Sequence, residues 1–137
     1  MKEYVTDLKH SKLLKEAGIV KKSKYCWYYF DKKRNPTSGS HWDSRKRCIS
    51  GVPYAYDGFI NAYLTDELTA ETPIIVGYDL KMICETTDCG DKYYTVFYQD
   101  AFSDYLDSRD FCDEKLSNAL AKMIIWLMKE GYMKWKH

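Results

Sequence analysis

An α+β fold is what this sequence predicts, with an antiparallel sheet packed against a long C-terminal helix, an N-terminal helix and a short central helix. Three observations predict it. Between Asp110 and Gly131, residues Leu116, Ala119, Leu120, Met123, Ile124 and Leu127 follow the i, i+3, i+4, i+7 spacing of one helical face, widened by Ile125, Trp126 and Met128. The runs Tyr25–Phe30, Ile74–Thr86 and Tyr93–Gln99 are aromatic or alternating and read as strands. The predicted order, helix, strands, short helix, hairpin, long helix, lacks the strand–helix alternation of a parallel sheet.

Taken in order, Thr6 is placed to cap a first helix from Asp7 to Ala17, whose apolar side is Leu8, Leu13, Leu14 and Ala17 and whose stop is Gly18. Lys21, Lys22 and Lys24 lead into Tyr25–Phe30, a strand expected to be covered on both faces. Lys32 to Arg47 reads as a basic loop with Asn35-Pro36 and Ser38-Gly39-Ser40 turn signals, and a short strand is expected near Arg47 to Ile49. Gly51, Pro53 and Gly58 break the chain before a strand over Phe59 to Leu64. Thr65 then caps a short helix, Asp66 to Glu71, which Pro73 stops.

Ile74 to Thr86 is the clearest strand, with Ile74, Val76, Tyr78, Leu80, Met82 and Cys84 alternating onto one face. Asp88-Cys89-Gly90-Asp91 is a hairpin turn, and Tyr93 to Gln99 returns as the partner strand. A linker, Asp100 to Arg109, delivers the chain to the C-terminal helix. Asp110 or Asp113 is expected to cap that helix, with Lys129 in its last turn and Gly131 as its left-handed stop. Lys115, Asn118, Lys122 and Lys129 are assigned to its polar side. An apolar face this wide costs about 25 cal/mol for each Å² left in water. Its expected cover is the Ile74–Gln99 hairpin together with Tyr25–Phe30.

The 137 residues read as one domain, 1–137, long enough to bury roughly two-thirds of the unfolded surface without staples. No apolar run approaches the roughly 20 residues of a membrane span, and MKEYVTDLKH lacks a signal peptide's apolar core. A cytoplasmic protein without membrane contact is therefore expected. The five cysteines, Cys26, Cys48, Cys84, Cys89 and Cys112, are scattered and read as free thiols, several of them buried.

Little in the chain suggests chemistry. Cys84 and Cys89, completed by Cys112, His41 or His10, lack the paired C-x2–4-C ligands of a zinc site, so no metal and no cofactor is expected. His41-Trp42-Asp43 with Cys48 nearby is not a nucleophile and base in reach of each other, and no nucleophile elbow, phosphate loop or HExxH is present. No catalytic residue is assigned and the chain reads as a non-enzyme.

Charge is more informative. Residues 1–50 hold 13 Lys/Arg against 5 Asp/Glu, while the remainder holds 8 against 15. Lys21, Lys22, Lys24, Lys32, Lys33, Arg34, Arg45, Lys46 and Arg47, with Trp42, form a candidate nucleic-acid surface, on which Tyr25, Trp27 and Tyr28 would also stack bases. Asp100, Asp104, Asp107, Asp110, Asp113 and Glu114 form a candidate acidic edge. Their spacing of three and four would align most of them on one side of a helix, turning Phe102, Tyr105 and Leu106 inward. Such a row can imitate a phosphate backbone towards a basic partner.

The tail SNALAKMIIWLMKEGYM resembles that of small, uncharacterised phage and prophage accessory proteins of gut bacteria, whose C-terminal helix follows "A-x-AKM-[LI]-I-[YW]-L-x-ENG". Ala119, Ala121-Lys122-Met123, Ile125-Trp126-Leu127 and Glu130-Gly131 carry the likeness, and DLKHSKLLKEAGIVKKSKYCWY and AYLTDELTAETP resemble two further segments of the same group. Lys129 and Tyr132 depart from the pattern. The resemblance implies a phage-derived accessory protein that binds without catalysis. Its expected partner is a host protein or ribonucleoprotein complex, such as a CRISPR or other nuclease defence system that it inhibits. The alternatives are a nucleic-acid-binding accessory protein using the basic third, and a nucleotide-sized ligand held between helix and sheet. Oligomeric state is left open by the sequence.

Overall fold

The aromatic run Tyr25–Phe30 needs partners on both edges, and the fold supplies them by making this run the middle strand of a small sheet. The computed structural model describes residues 4–19, 21, 23–30, 41–46 and 56–134. Its helices are α1 (Leu8–Glu16), α2 (Thr65–Thr69) and α3 (Leu116–Lys129). Its strands are β1 (Tyr25–Phe30), β2 (His41–Lys46), β3 (Tyr56–Ala62), β4 (Asp79–Thr86), β5 (Lys92–Gln99) and β6 (Phe111–Asp113). The class is α+β, as the sequence predicts. The strands, however, form two antiparallel three-stranded sheets rather than one, ordered β2-β1-β3 and β4-β5-β6.

Several boundaries move, each for a local reason. HWDSRK, placed in a loop by its polarity, is strand β2, because pairing with β1 sets Trp42 opposite Tyr29 with ring centroids 5.2 Å apart. The strand expected near Arg47 to Ile49 lies outside the described residues. Asp7 rather than Thr6 caps α1, accepting the His10 N–H at 2.8 Å. Thr6 turns inward instead, where its hydroxyl accepts the Tyr63 N–H at 3.1 Å and its carbonyl accepts the Trp27 indole N–H at 2.9 Å. In α2 the Leu64 position is the cap, and Glu67 reaches back to its N–H at 2.8 Å.

The expected strand from Ile74 starts only at Asp79, and its alternating residues do not form a buried face: Leu80 is half-buried, while Met82 and Cys84 are exposed. Residues 110–115 are likewise not the start of the long helix. Phe111–Asp113 pairs with β5, so α3 begins at Leu116 with Lys115 as its cap.

The main core lies between α3 and the second sheet. Leu120, Met123, Ile124 and Leu127 are fully buried and cluster with Val96, Tyr98, Leu106 and Phe111, and with Tyr63 and Leu68 from the first half of the chain. The sheet covered by α3 is thus the second one, through β5 and β6. The first sheet is covered by α1, which packs on β3 and also against α3. Val5, Trp27, Ile60 and Ala62 form the smaller core there.

Both long helices end in the same way. Gly18 and Gly131 adopt φ +93° and +83°, and the following residue closes the turn: Ile19 N–H to Leu14 C=O at 3.0 Å, Tyr132 N–H to Leu127 C=O at 2.8 Å. A Cβ built at Gly131 meets nothing within 4 Å. Gly131→Ala is therefore expected to lose only the conformational term, about 1 kcal/mol, seen as a lower urea midpoint at unchanged slope.

Candidate functional site

A carboxylate row needs a helix under it, and residues 100–110 form only a single 3-10 turn, Leu106–Ser108. Ser103, Asp107 and Ser108 adopt left-handed φ of 67°, 51° and 56°, so the i, i+3, i+4 spacing never becomes one face. The acidic residues turn to separate local tasks. Asp100 accepts the N–H groups of Phe102 and Asp104, each at 2.9 Å. Asp107 accepts the Tyr132 hydroxyl at 2.7 Å, a bond that raises the Tyr132 phenol above its ordinary value. Asp113 joins a half-buried network described below, and Asp110 and Glu114 are exposed. Leu106 is buried as expected, but Phe102 and Tyr105 are exposed.

What this segment does present is apolar. Asp79 pairs with Gln99, so the turn ahead of β4 and the turn after β5 leave the same end of the second sheet. On those turns Ile74, Val76 and Phe102 are 97%, 93% and 87% exposed. Nearby stand Asp79 and Asp104, exposed, and Asp100, half-buried. Tyr105 stacks on Phe97 with centroids 4.2 Å apart and fixes the second turn to the sheet. The Tyr98 hydroxyl donates to the Pro73 carbonyl at 2.7 Å and holds the first. Sequence reasoning misplaced Ile74 and Val76 by extending the strand through them. The signal against that extension was Gly77, which ends the turn before Asp79 at φ +86°.

A second constellation is buried and titratable. His10 is 5% exposed; its Nδ1 lies 2.7 Å from Asp7 Oδ1 and its Nε2 3.9 Å from Asp113 Oδ2. Asn118, placed on the polar side of α3 by its sequence position, is buried between them. Its Oδ1 accepts the Asp7 N–H at 3.0 Å, and its Nδ2 donates to Asp7 Oδ2 and Asp113 Oδ1, both at 3.1 Å. Lys122 reaches Asp113 Oδ2 at 3.0 Å and donates to the Cys112 carbonyl at 2.7 Å.

Burial pushes the Asp7 carboxyl up, but the His10 backbone and ring hydrogen bonds and the charges of His10 and Lys115 outweigh it and leave the group below its ordinary value. Asp113 behaves alike: burial raises it, and the Lys115 N–H, Lys122, Asn118 and the Lys122 charge bring it down. The nearest hydroxyl in sequence, Ser11, is engaged with Thr6 Oγ1 at 2.7 Å and the Thr6 carbonyl at 3.2 Å. The cluster therefore ties the start of α1 to β6 and α3, and it presents no nucleophile beside the imidazole.

The basic set is divided. Lys22, Lys32, Lys33, Arg34 and Arg47 lie outside the described residues; Arg45 and Lys46 fall on β2. Lys21 pairs with Glu71, Lys24 is exposed, and Lys12 sits 5.4 Å over the half-buried Trp42 ring. Of the residues expected to stack bases, Trp27 and Tyr28 are 8% and 3% exposed and belong to the first sheet's interior. A cleft of about 390 Å³ lies between α1 and β3, with Lys15, Phe59 and Asn61 at its walls, and is where a small ligand between helix and sheet would sit.

Cys26 is buried, its thiol donating to Asn61 Oδ1 at 3.8 Å, whereas Cys84, Cys89 and Cys112 are exposed free thiols. Among the described residues no group of three His, Cys, Asp or Glu side chains is placed to hold a metal ion, and no helix is long and apolar enough to cross a membrane. In comparisons with known proteins, no family model, curated protein or solved structure matches this chain.

Proposed function

We propose that this chain acts by non-catalytic binding to a protein, through the turns at the Asp79–Gln99 end of the second sheet. The observation that carries this reading is the exposure of Ile74, Val76 and Phe102 on neighbouring turns, Phe102 between Asp100 and Asp104, and Ile74 and Val76 ahead of Asp79. Three large apolar side chains held almost entirely in water are an interaction feature, and among the described residues they stand well above the next most exposed, Tyr4 at 61%. Apolar tips seat in a partner's pocket, and Asp79, Asp100 and Asp104 suit a basic surround. The acidic edge read from the sequence thus narrows to its first members, around an apolar centre. The resemblance of the C-terminal helix to phage accessory proteins supplies the setting. The partner is a host protein or ribonucleoprotein complex of the bacterial cytoplasm, and inhibition of a CRISPR or other nuclease complex, whose nucleic-acid channel is basic, is the specific form.

A photo-crosslinking amino acid placed at position 76 or 102, and as a control at the part-exposed Leu13 on α1, tests this in cells. Adducts to one protein band from 76 and 102 but not from 13 are expected. Adducts to nucleic acid, or the same pattern from all three sites, would contradict it.

A further inference from the structure

We infer that the chain pairs with a second copy of itself along β4, joining two three-stranded sheets into one of six strands. β4 occupies one end of the sheet order, and among the described residues it pairs on one side only, with β5. Every residue from Lys81 to Thr86 is exposed. Every second residue of such a strand turns its N–H and C=O groups outward, a template for another strand. Proteins blunt such edges with short strands, prolines, bulges or charged side chains; this one is eight residues long with no proline or bulge, and its charges, Asp79, Lys81 and Glu85, are of mixed sign.

The sequence of the edge names its occupant. A two-fold axis normal to the sheet at Ile83 pairs residues whose numbers sum to a constant, so Ile83 faces Ile83 of the second copy. Lys81 then faces Glu85, and Glu85 faces Lys81, on the same side of the sheet as Ile83. On the other side Met82 faces Cys84 and Leu80 faces Thr86. Moving the axis by one residue to Met82 would set Asp79 against Glu85 and Lys81 against Ile83, so the charges select the Ile83 register. Within the chain, Glu85 Oε2 accepts the hydroxyl of its β5 partner, Tyr93, at 2.7 Å. The pairing is isologous: it consumes both β4 edges and closes at two copies. It leaves Ile74, Val76 and Phe102 outside the paired segment, so the dimer would carry the proposed partner surface twice.

Charge exchange tests both association and register. Sedimentation equilibrium on the wild type is expected to give twice the 16.2 kDa chain mass. Lys81→Glu sets carboxylates opposite one another and Glu85→Lys sets ammonium groups opposite one another, so each variant alone is expected to raise the dimer Kd at least 10-fold. Mixing the two restores both ion pairs, and a heterodimer near the wild-type Kd is expected. Ile83→Asp, which places two carboxylates at the axis, is expected to stay monomeric with unchanged circular dichroism. A monomeric wild type at high micromolar concentration, a dimer unaffected by Ile83→Asp, or no recovery on mixing would each overturn the inference. None of these variants touches Val76 or Phe102, so partner binding is read separately.

Discussion

Replacing Asn118 by leucine is expected to cost about 3 kcal/mol, comparable to emptying a core position with Leu120→Ala. Leucine fills nearly the same volume, so the loss is polar. The variant removes the acceptor for the Asp7 N–H and the donors to Asp7 Oδ2 and Asp113 Oδ1. It thereby unfastens the N-terminal helix from β6 and α3. Chemical denaturation checks this: the midpoint falls while the slope, which tracks exposed surface, stays the same. A shift under 0.5 kcal/mol would mean that the seam is already hydrated and holds nothing. Asn118→Asp makes a sharper contrast, because a third carboxylate beside Asp7 and Asp113 destabilises at neutral pH and is relieved by acid.

The wild type has the opposite acid response. The Asp7 and Asp113 carboxyls sit below their ordinary value of 3.8 in the folded protein. A depressed carboxylate contributes stability that is fully present above its unfolded pKa, about 4, and is lost as pH falls through the folded value. Stability from these two groups is thus expected to be flat from neutrality to about pH 5 and to decline below about pH 4. Asp7→Asn and Asp113→Asn each flatten that decline if these are the groups responsible.

The strongest patterns in the chain translated well into structure. The apolar stripe of α3, its Gly131 stop, the short helix before Pro73 and the Asp88–Asp91 turn all follow from local chemistry and hold in the fold. Where the reading failed, a long-range partner had overruled a local preference. HWDSRK has no strand pattern of its own and becomes β2 only because β1 offers it a ladder. Asp110 and Asp113 look like helix caps, yet Phe111–Asp113 is drawn into a sheet by β5.

The candidate surface was legible only in part. Asp100 and Asp104 stand out for charge, but aligning the whole acidic set on one side needs a helix that three left-handed residues forbid. Ile74 and Val76 continue the alternation of Leu80 and Met82 so well that nothing in their own chemistry marks them as exposed. His10 and Asn118 illustrate the same limit from the inside. Each is a polar residue on an amphipathic helix, and only the 111-residue separation closed between Asp7 and Asn118 brings them to the same two carboxylates.

The double variant Val76→Asp/Phe102→Asp probes the apolar turns directly. Both side chains are exposed, so the fold and its denaturation midpoint are expected to be unchanged. Hot-spot residues buried at the centre of a contact contribute about 2 kcal/mol or more apiece, so if these two tips are the hot spots the pair should weaken binding at least 100-fold. The decisive measurement is the affinity of this variant, against the wild type, for the protein crosslinked at positions 76 and 102. A loss of at least 100-fold with an unchanged denaturation midpoint is the predicted result. Equal affinity in the two proteins would contradict it and move the binding surface elsewhere on the chain.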